Sequence, residues 1–367
     1  MRTVSPKEIS VFDLKELGWT SAFENQWLQF ALDGCVPARV TEEQKNLFRV
    51  RGAEGEWWAQ VAGKLHYHAA ARLDLPAVGD WVGVRVAPGG GRGTIEAVLP
   101  RRTRLSRKMA GRQTEEQIVA ANVDTLFHVS ALDRDFSPRR IERYVAMIWS
   151  SGARPVVLLN KADLAGEGEV AAALREAEAA APGARVHALS ATTGAGLEAL
   201  EVYLQRGQTI ALLGSSGVGK STLLNRLLGR EAQPVAEVNP RAERGRHTTT
   251  ARQLFVLAGG GILIDTPGMR ELEPWDASEG VGQTFADVEA LFAACRFGDC
   301  RHGGEPGCAV ARALEEGALD PARWESYRRL QRELRFQAAK HDAGMRAEEK
   351  HRWRQIHKAM RDHYKQR

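Results

Sequence analysis

A segment in the second half of the chain, GSSGVGKST, has the spacing of a phosphate-binding loop. Its pattern Gly-x4-Gly-Lys-Ser follows an apolar run, TIALL, and precedes a helical pattern, which is the context that such a loop requires. Glycines let successive backbone N–H groups face phosphate oxygens, and the N-terminus of the following helix favours negative charge. Lys220 would reach the β- and γ-phosphates, and the Ser221 hydroxyl would bind magnesium. The predicted contacts are Gly214, Ser215, Ser216, Gly217, Val218, Gly219, Lys220, Ser221 and Thr222.

Two further motifs supply a Walker-B aspartate and a base-reading carboxylate. In DTPG, Asp265 ends the apolar run GILI, and the N–H of Gly268 is available to the γ-phosphate. NKAD follows the run PVVLL, and its Asp163 can accept hydrogen bonds from guanine N1–H and the guanine amino group, neither of which adenine offers. Together the three motifs predict a guanine-nucleotide site. Its base-side residues are Asn160, Lys161, Ala162, Asp163, Ser190 and Ala191.

The order of these motifs is unusual, because NKAD stands before the phosphate loop. In an ordinary GTPase the phosphate loop comes first and the base-reading motif comes near the end. Ligands of an open parallel sheet bind at the carboxyl ends of its strands, whatever the order in which the strands are connected. The motif order therefore predicts a circular permutation that leaves the site intact. It also places DTPG close to the end of the nucleotide-binding domain, so that the γ-phosphate contact acts directly on whatever follows.

Three cysteines and one histidine lie close together further along the chain. Four, one and five residues separate Cys295, Cys300, His302 and Cys308 in turn, and glycines between them let short loops surround one ion. Three thiolates and one imidazole suit a closed tetrahedral zinc site, in which no position is left for a catalytic water. The pattern predicts one structural zinc per chain. The alternative is a set of free cysteines in a helix-rich region.

The elements that must position these residues are of two kinds. From KNLFRVRG to GTIEAVLP, short alternating segments rich in Val, Trp and Phe predict four or five antiparallel strands in an OB-type barrel. Arg and Lys between those strands favour RNA binding, and an all-β packing module is the alternative. A basic connector then leads to apolar runs such as DTLFHVSAL and PVVLL. These alternate with helical patterns, which predicts a doubly wound α/β sheet.

The fold class predicted from these patterns is therefore multidomain. We predict an N-terminal extension at 1–42, an OB-like β-barrel at 43–105, a circularly permuted P-loop GTPase α/β domain at 106–275, a helical zinc-binding domain at 276–340 and a basic helical tail at 341–367. The tail region has an apolar helical stripe that we expect to pack on the body of the protein. Its members are Trp324, Tyr327, Leu330, Leu334, Trp353, Ile356, Met360 and Tyr364.

The composition of the chain argues against a membrane or secreted protein and favours a polyanion partner. The 367 residues are 43% apolar and 26% charged, and no run of eighteen apolar residues predicts a membrane span. The N-terminus has no apolar core typical of a secretory signal, and the four cysteines are few, so a reducing cytoplasm is expected. Net charge is +5, and residues 321–367 alone hold 14 Lys and Arg but only 6 Asp and Glu. That local excess favours a polyanion partner for the tail, with a solvated charged face as the alternative.

The combination of features resembles one family. The permuted motif order, GRHTTT before DTPG, a small barrel ahead and a Cys/His cluster behind are similar to the ribosome small subunit-dependent GTPases, the RsgA (YjeQ) family, over roughly residues 45–330. The resemblance implies a GTPase that acts late in small-subunit maturation, binds the 30S particle and its 16S rRNA near the decoding region, and hydrolyses GTP faster there. A monomer is expected. The first 40 residues and the stretch after Lys340 match nothing in the family pattern.

The group that activates water is not obvious from the motifs. Many small GTPases place a glutamine after DxxG, but Met269 stands there and cannot orient water. His247, beside the threonines of GRHTTT, is the candidate, as the resemblance also implies; its alternatives are an RNA contact or packing. One of Thr248, Thr249 and Thr250 should complete the magnesium shell, and Thr249 is favoured.

Two other function classes have to be weighed against a GTPase. A GTP-regulated RNA-binding scaffold with little hydrolysis of its own is disfavoured because the catalytic set of Lys220, Ser221 and Asp265 is intact. An ATP-driven RNA remodeller is disfavoured because Asp163 selects guanine and helicase motifs are absent from the sequence.

Overall fold

A computed structural model describes residues 13–30, 32–44, 47–69, 72–108, 116–133, 136–229, 252–265 and 278–335 of the protein. The strands are β1 (Val36–Gln44), β2 (Leu47–Gly52), β3 (Gly55–Val61), β4 (Trp81–Val86), β5 (Arg92–Val98), β6 (Arg104–Lys108), β7 (Glu116–Ala121), β8 (Thr125–Ala131), β9 (Arg154–Asn160), β10 (Arg185–Ala188), β11 (Thr209–Leu213), β12 (Arg252–Val256) and β13 (Ile262–Asp265). The α-helices are α1 (Ser21–Phe30), α2 (Gly63–His68), α3 (Pro138–Ser150), α4 (Glu167–Ala180), α5 (Lys220–Leu228), α6 (Ser278–Thr284), α7 (Ala286–Phe292), α8 (Ala309–Glu315) and α9 (321–335). Shorter 3-10 segments span Leu14–Leu17, Arg72–Asp74, Ala162–Leu164 and Leu197–Tyr203.

Strands β1 to β5 close into a barrel. β1 pairs antiparallel with both β2 and β4, β2 pairs antiparallel with β3, and β5 joins β3 to β4. Alternate side chains of β2 point inward, so that Phe48 and Val50 are buried while Arg49 between them is half exposed. This alternation is the pattern that predicted the strands, and the OB-type barrel is confirmed.

The barrel begins at Val36, before residue 43, where the sequence placed its boundary. β1 lacks the inside–outside alternation of a barrel strand, because five consecutive residues of it are buried, including Arg39, which is 1% exposed. Its guanidinium donates to Gly79 O at 3.1 Å, Asn122 O at 3.1 Å and Thr209 Oγ1 at 3.0 Å. Burial lowers the pKa of Arg39 to about 10, which leaves it charged at neutral pH.

The α/β sheet has the strand order β10-β9-β8-β11-β13-β12. Parallel pairing joins β10, β9, β8, β11 and β13, and β12 is antiparallel to β13. β8 and β11 are buried along their whole length, as expected of parallel strands covered on both faces. Helices α3 and α4 cover one face and α5 covers the other, so the predicted doubly wound sheet is confirmed.

The barrel and the α/β sheet are continuous. β12 pairs antiparallel with β1, opposing Glu42 to Gln253 and Glu43 to Arg252. The Arg252 guanidinium also pairs with the Glu43 carboxylate at 2.8 Å. The basic connector between the two units contains β6 and β7, which pair antiparallel and which the sequence did not indicate as strands.

Helices α6 to α9 form a separate hydrophobic cluster that rests on α3. Tyr327 and Leu330 of α9 are buried there, as is Trp324, so the first half of the predicted apolar stripe does pack on the body of the protein. Its second half, from Trp353 onward, lies outside the described residues. Helices α6 and α3 pack so closely at Gly280 that a Cβ on this residue would lie 1.8 Å from Ala146 O. Within the described chain, no helix combines the length and apolarity needed to cross a membrane.

Candidate nucleotide and metal sites

The phosphate loop joins the buried strand β11 to helix α5 and depends on its glycines. Gly214, Gly217 and Gly219 have φ values of +145°, +83° and +95°, which L-residues with a side chain rarely adopt. A Cβ on Gly214 would lie 2.2 Å from Val129 O, and one on Gly219 would lie 2.2 Å from Asn160 Nδ2. Both positions therefore require glycine for space as well as for conformation.

Lys220 begins α5 and turns back over the loop. Its Nζ donates to Gly214 O at 2.7 Å and to Ser215 O at 2.5 Å. The ammonium is thereby held beside the backbone of the loop, where the N-terminus of α5 also favours an anion. Ser221 and Thr222 follow on the first turn of the same helix.

Asn160 connects three of the predicted motifs. It ends β9 and is 2% exposed. Its Nδ2 donates to Val218 O of the phosphate loop at 2.7 Å, and its Oδ1 accepts from the N–H of Ala191 at 2.9 Å. The NKAD motif, the Ser190–Ala191 pair and the phosphate loop thus meet at one edge of the sheet, as the permutation argument predicted.

The base-side residues lie around this junction. Lys161 has a left-handed backbone, with φ +64°, and its Nζ pairs with Asp133 Oδ2 at 2.8 Å. Asp163 follows in the 3-10 turn with an exposed carboxylate that can receive a ligand. Ser190 is buried, and its Oγ accepts from the N–H of Thr193 at 3.1 Å, which shapes the adjoining turn.

Asp265 is the last described residue of β13, the strand that pairs with β11 directly ahead of the phosphate loop. Adjacent parallel strands bring their carboxyl ends to the same edge, so Asp265 lies on the phosphate side of the sheet. Gly268, His247 and Thr249 lie outside the described residues, as do Thr248, Thr250 and Met269.

Two residues beside the loop were not predicted from the sequence. Arg140 of α3 donates from Nη1 to Ser215 Oγ at 3.1 Å. His128 of β8 is buried and stacks on Tyr144 with a ring-centroid distance of 4.3 Å. Burial, and then the charges of Arg140 and Lys220, lower the pKa of His128 to about 3, so the ring is neutral. No motif contains either residue. The pairing of β8 with β11 opposes His128 to Leu213 and so places it beside the loop, whereas the packing of α3 brings Arg140 there.

The four predicted metal ligands come together in space. Among the described residues, one donor atom from each of Cys295, Cys300, His302 and Cys308 lies within 4.8 Å of the other three. His302 Nδ1 is 3.6 Å from the Sγ atoms of both Cys295 and Cys308. A tetrahedral zinc with Zn–S near 2.3 Å and Zn–N near 2.0 Å separates its ligand atoms by about 3.5–3.8 Å, so the donor set and spacing fit that ion. The His302 ring also stacks on Phe292 at 4.2 Å, which fixes its orientation.

Comparisons with known proteins agree with this geometry. A family model described as RsgA GTPase matches residues 98–275. The small ribosomal subunit biogenesis GTPase RsgA of Opitutus terrae is 48% identical, over 95% of this chain and 97% of that protein. The crystal structure of YjeQ from Thermotoga maritima is similar with a TM-score of 0.60 and 28% identity, covering 82% of this chain and 98% of that one. YloQ, described as a circularly permuted GTPase, shares the fold with a TM-score of 0.58 and 22% identity, covering 83% of this chain and 96% of that one.

Proposed function

The chain belongs to the RsgA GTPase family, and we propose on that basis that it hydrolyses GTP to GDP and phosphate in the biogenesis of the small ribosomal subunit. The observation that best supports this function is that Asn160 bonds both Val218 of the phosphate loop and Ala191. A phosphate loop alone accepts many nucleotides. When an NKAD motif is bonded to the phosphate loop, its aspartate lies on the same edge of the sheet and can select guanine.

We infer the following division of work around the nucleotide. The backbone of the phosphate loop and Lys220 bind the β- and γ-phosphates. Ser221, Thr249 and Asp265 would hold Mg²⁺, which neutralises charge on the phosphate oxygens. Gly268 would donate its N–H to the γ-phosphate, and the exposed Asp163 would accept from the guanine base. Lys161, kept in place by Asp133, would lie beside that base.

His247 is proposed to orient the attacking water. Positioning and charge stabilisation supply nearly all of the catalysis in phosphoryl transfer, so a water-orienting group matters more than covalent chemistry. Met269, directly after DTPG, has no polar group for this task. We propose that docking on the 30S subunit brings His247 to the water and so accelerates hydrolysis.

The Cys295–Cys308 region is proposed to hold one structural zinc ion. The three thiolates and the Nδ1 atom of His302 would supply all four ligands of a tetrahedral zinc ion and so leave no position for a reacting water. The proposed role is therefore to fold the chain between α7 and α8 into a rigid surface rather than to take part in hydrolysis.

Contact with 16S rRNA is proposed through the barrel and the basic tail. Helix α2 of the barrel exposes Lys64 together with Tyr67, whose side chain is 85% exposed. Aromatic rings stack on unpaired bases, and Lys side chains pair with phosphates, so this combination suits single-stranded RNA. We propose that the protein works as a cytoplasmic monomer, which sedimentation analysis of the full chain would test.

Hydrolysis assays with purified 30S subunits test the whole assignment. The protein should hydrolyse GTP but not ATP, slowly alone and faster with 30S subunits. His247→Ala should keep GTP and 30S binding but lose most of the stimulated rate, by about 10²- to 10⁴-fold. His187→Ala serves as the control, because the His187 ring bonds Tyr203 and has no proposed role in hydrolysis. GTP binding without hydrolysis, even on 30S subunits, would favour the GTP-regulated scaffold.

A further inference from the structure

Arg140 reaches the phosphate loop from outside every nucleotide-binding motif. It lies on the first turns of α3, whose N-terminus is capped by the Ser137 side chain and begins with Pro138. Its Nη1 donates to Ser215 Oγ at 3.1 Å across 75 residues of chain. Ser215 directly follows Gly214, so the contact falls where the loop leaves β11.

Ser215 is held from two sides. Arg140 bonds its side chain, and Lys220 bonds its carbonyl oxygen at 2.5 Å. The Lys220 bond belongs to the motif itself, whereas the Arg140 bond is a second, independent restraint on the same residue. A loop held in its binding conformation before the ligand arrives avoids part of the ordering cost of binding.

The face of α3 that presents Arg140 is packed against the sheet. Tyr144 lies one turn after Arg140, hence on the same face of the helix, and its ring stacks on buried His128. The neutral His128 ring adds no third positive charge beside Arg140 and Lys220. Arg140 and Lys220 therefore place two cationic side chains against the same residue of the loop, which suits an anionic ligand.

A different face of α3 is fixed by the C-terminal helices. Glu142 is fully buried and bonds Arg323 at 2.9 Å and Ser326 at 2.5 Å, both on α9. Further along, the N–H of Gly280 donates to Ser150 Oγ at 3.0 Å. Because both faces of α3 are packed, the helix fixes the position of the Arg140 guanidinium.

We propose that Arg140 is a positioning residue for nucleotide binding, which holds the start of the phosphate loop through the Ser215 hydroxyl. The inference rests on the GTP binding proposed above and names a further residue of that site. Its effect is on the affinity for the β-phosphate that GDP and GTP share, because the loop surrounds that phosphate. The turnover of bound GTP should change little.

A double-mutant cycle tests this coupling with a fluorescent GDP and full-length protein. Arg140→Met and Ser215→Ala should each weaken GDP binding, Arg140→Met by about tenfold, the usual loss for a hydrogen bond to a charged group. The double variant should bind no more weakly than Arg140→Met, since both changes remove one contact. Arg140→Lys, which keeps a charged donor, should recover part of the affinity.

Arg143→Met is the matched control, because Arg143 lies on the same helix but pairs with Glu333 at 2.9 Å. It should bind GDP within about twofold of the wild type. With GTP, Arg140→Met should raise KM and leave kcat on 30S subunits near the wild-type value. Strictly additive losses in the cycle, or wild-type affinity in Arg140→Met, would overturn the role of Arg140 alone. A wild-type protein that binds no guanine nucleotide would instead overturn the proposed function, and this role with it.

Discussion

The nucleotide site and the Cys/His cluster collect their residues over very different stretches of chain. Asn160 and Val218, which bond to each other, are 58 residues apart, and Asp265 arrives from a third strand. The three cysteines and the histidine of the Cys/His cluster all come from residues 295–308. The first site exists only when the parallel sheet is assembled, whereas the second needs only short loops to bring its donor atoms together. A Cys/His site that binds a metal gains folding free energy from the ion, whereas a site built on a parallel sheet is stabilised by the hydrophobic core.

One helix connects the phosphate loop to the helical region that contains the cluster, so the two sites are not fully independent. α3 carries Arg140 to the phosphate loop and Glu142 to the helices that follow the cluster. The comparison therefore predicts two sites that are assembled separately and coupled weakly through one element.

Removing a metal ligand should have the largest effect. Cys300→Ser should lose the zinc and unfold the region from α7 to α9, because zinc supplies about 10 kcal/mol or more to sites of this type. GDP affinity should fall by no more than Arg140→Met lowers it, about tenfold, since the sheet stays intact. Elemental analysis, limited proteolysis and GDP titration measure the three outcomes.

Cys35→Ser is the control for that experiment, because Cys35 lies outside the cluster. A chelator should act like Cys300→Ser, and more readily at low pH, where thiolates are protonated. Metal content that stays at one equivalent in Cys300→Ser would exclude the proposed ligand set. Complete loss of GDP binding would show that the two regions are not assembled separately.

Changing the base-reading carboxylate should have the next largest effect. Asp163→Asn should reduce the preference for GTP over xanthosine triphosphate by about 10⁴-fold, because the partner of the base amino group changes from acceptor to donor. Protein stability should not change, since Asp163 is exposed. Competition binding with both nucleotides gives the ratio, and Glu176→Gln on α4 is the charge-matched control. An unchanged ratio would mean that this carboxylate does not contact the base.

Asn160→Ala should affect stability and binding together. It leaves Val218 O and the N–H of Ala191 without their partner, at about 1–3 kcal/mol for each buried group. Denaturant unfolding should show that loss, and GDP binding should weaken because the loop is no longer tied to NKAD. Asn122→Ala, which breaks comparable buried bonds at the barrel, should destabilise the protein without weakening GDP binding. Equal effects of both variants on GDP binding would reduce Asn160 to a purely structural residue.

The smallest effect concerns pH. The pKa of His128 falls from 6.5 to about 3 on folding, mainly through burial. Between those values the unfolded chain binds a proton that the folded protein does not, so stability decreases as pH falls. The loss is about 1.4 kcal/mol per pH unit. His128→Phe should flatten the stability profile between pH 6 and pH 4, measured by urea unfolding, whereas His66→Phe on the exposed face of α2 should not. An unchanged slope in His128→Phe would mean that the ring is protonated in the folded protein.

Much of the fold could be predicted because its patterns are local. The alternation of Phe48 and Val50 with charged neighbours indicated a barrel strand, and the apolar runs of β8 and β11 indicated buried parallel strands. The first barrel strand was placed too late because it is buried on both faces and contains buried polar residues such as Arg39, so it shows no alternation. An inward-facing arginine can be recognised only once its four-way hydrogen bonding is visible, and its partners come from other parts of the chain.

The sequence by itself determined which residues could form both sites, because the spacing of glycines, carboxylates and thiolates within a motif is a property of neighbouring residues. It also indicated the permutation, since motif order can be read directly. Only the tertiary structure decided how Asn160 joins two motifs, that β12 pairs with β1, and that Arg140 bonds Ser215. Those contacts depend on which helix face packs on which strand, and that choice is made by the burial of the whole core rather than by any local pattern.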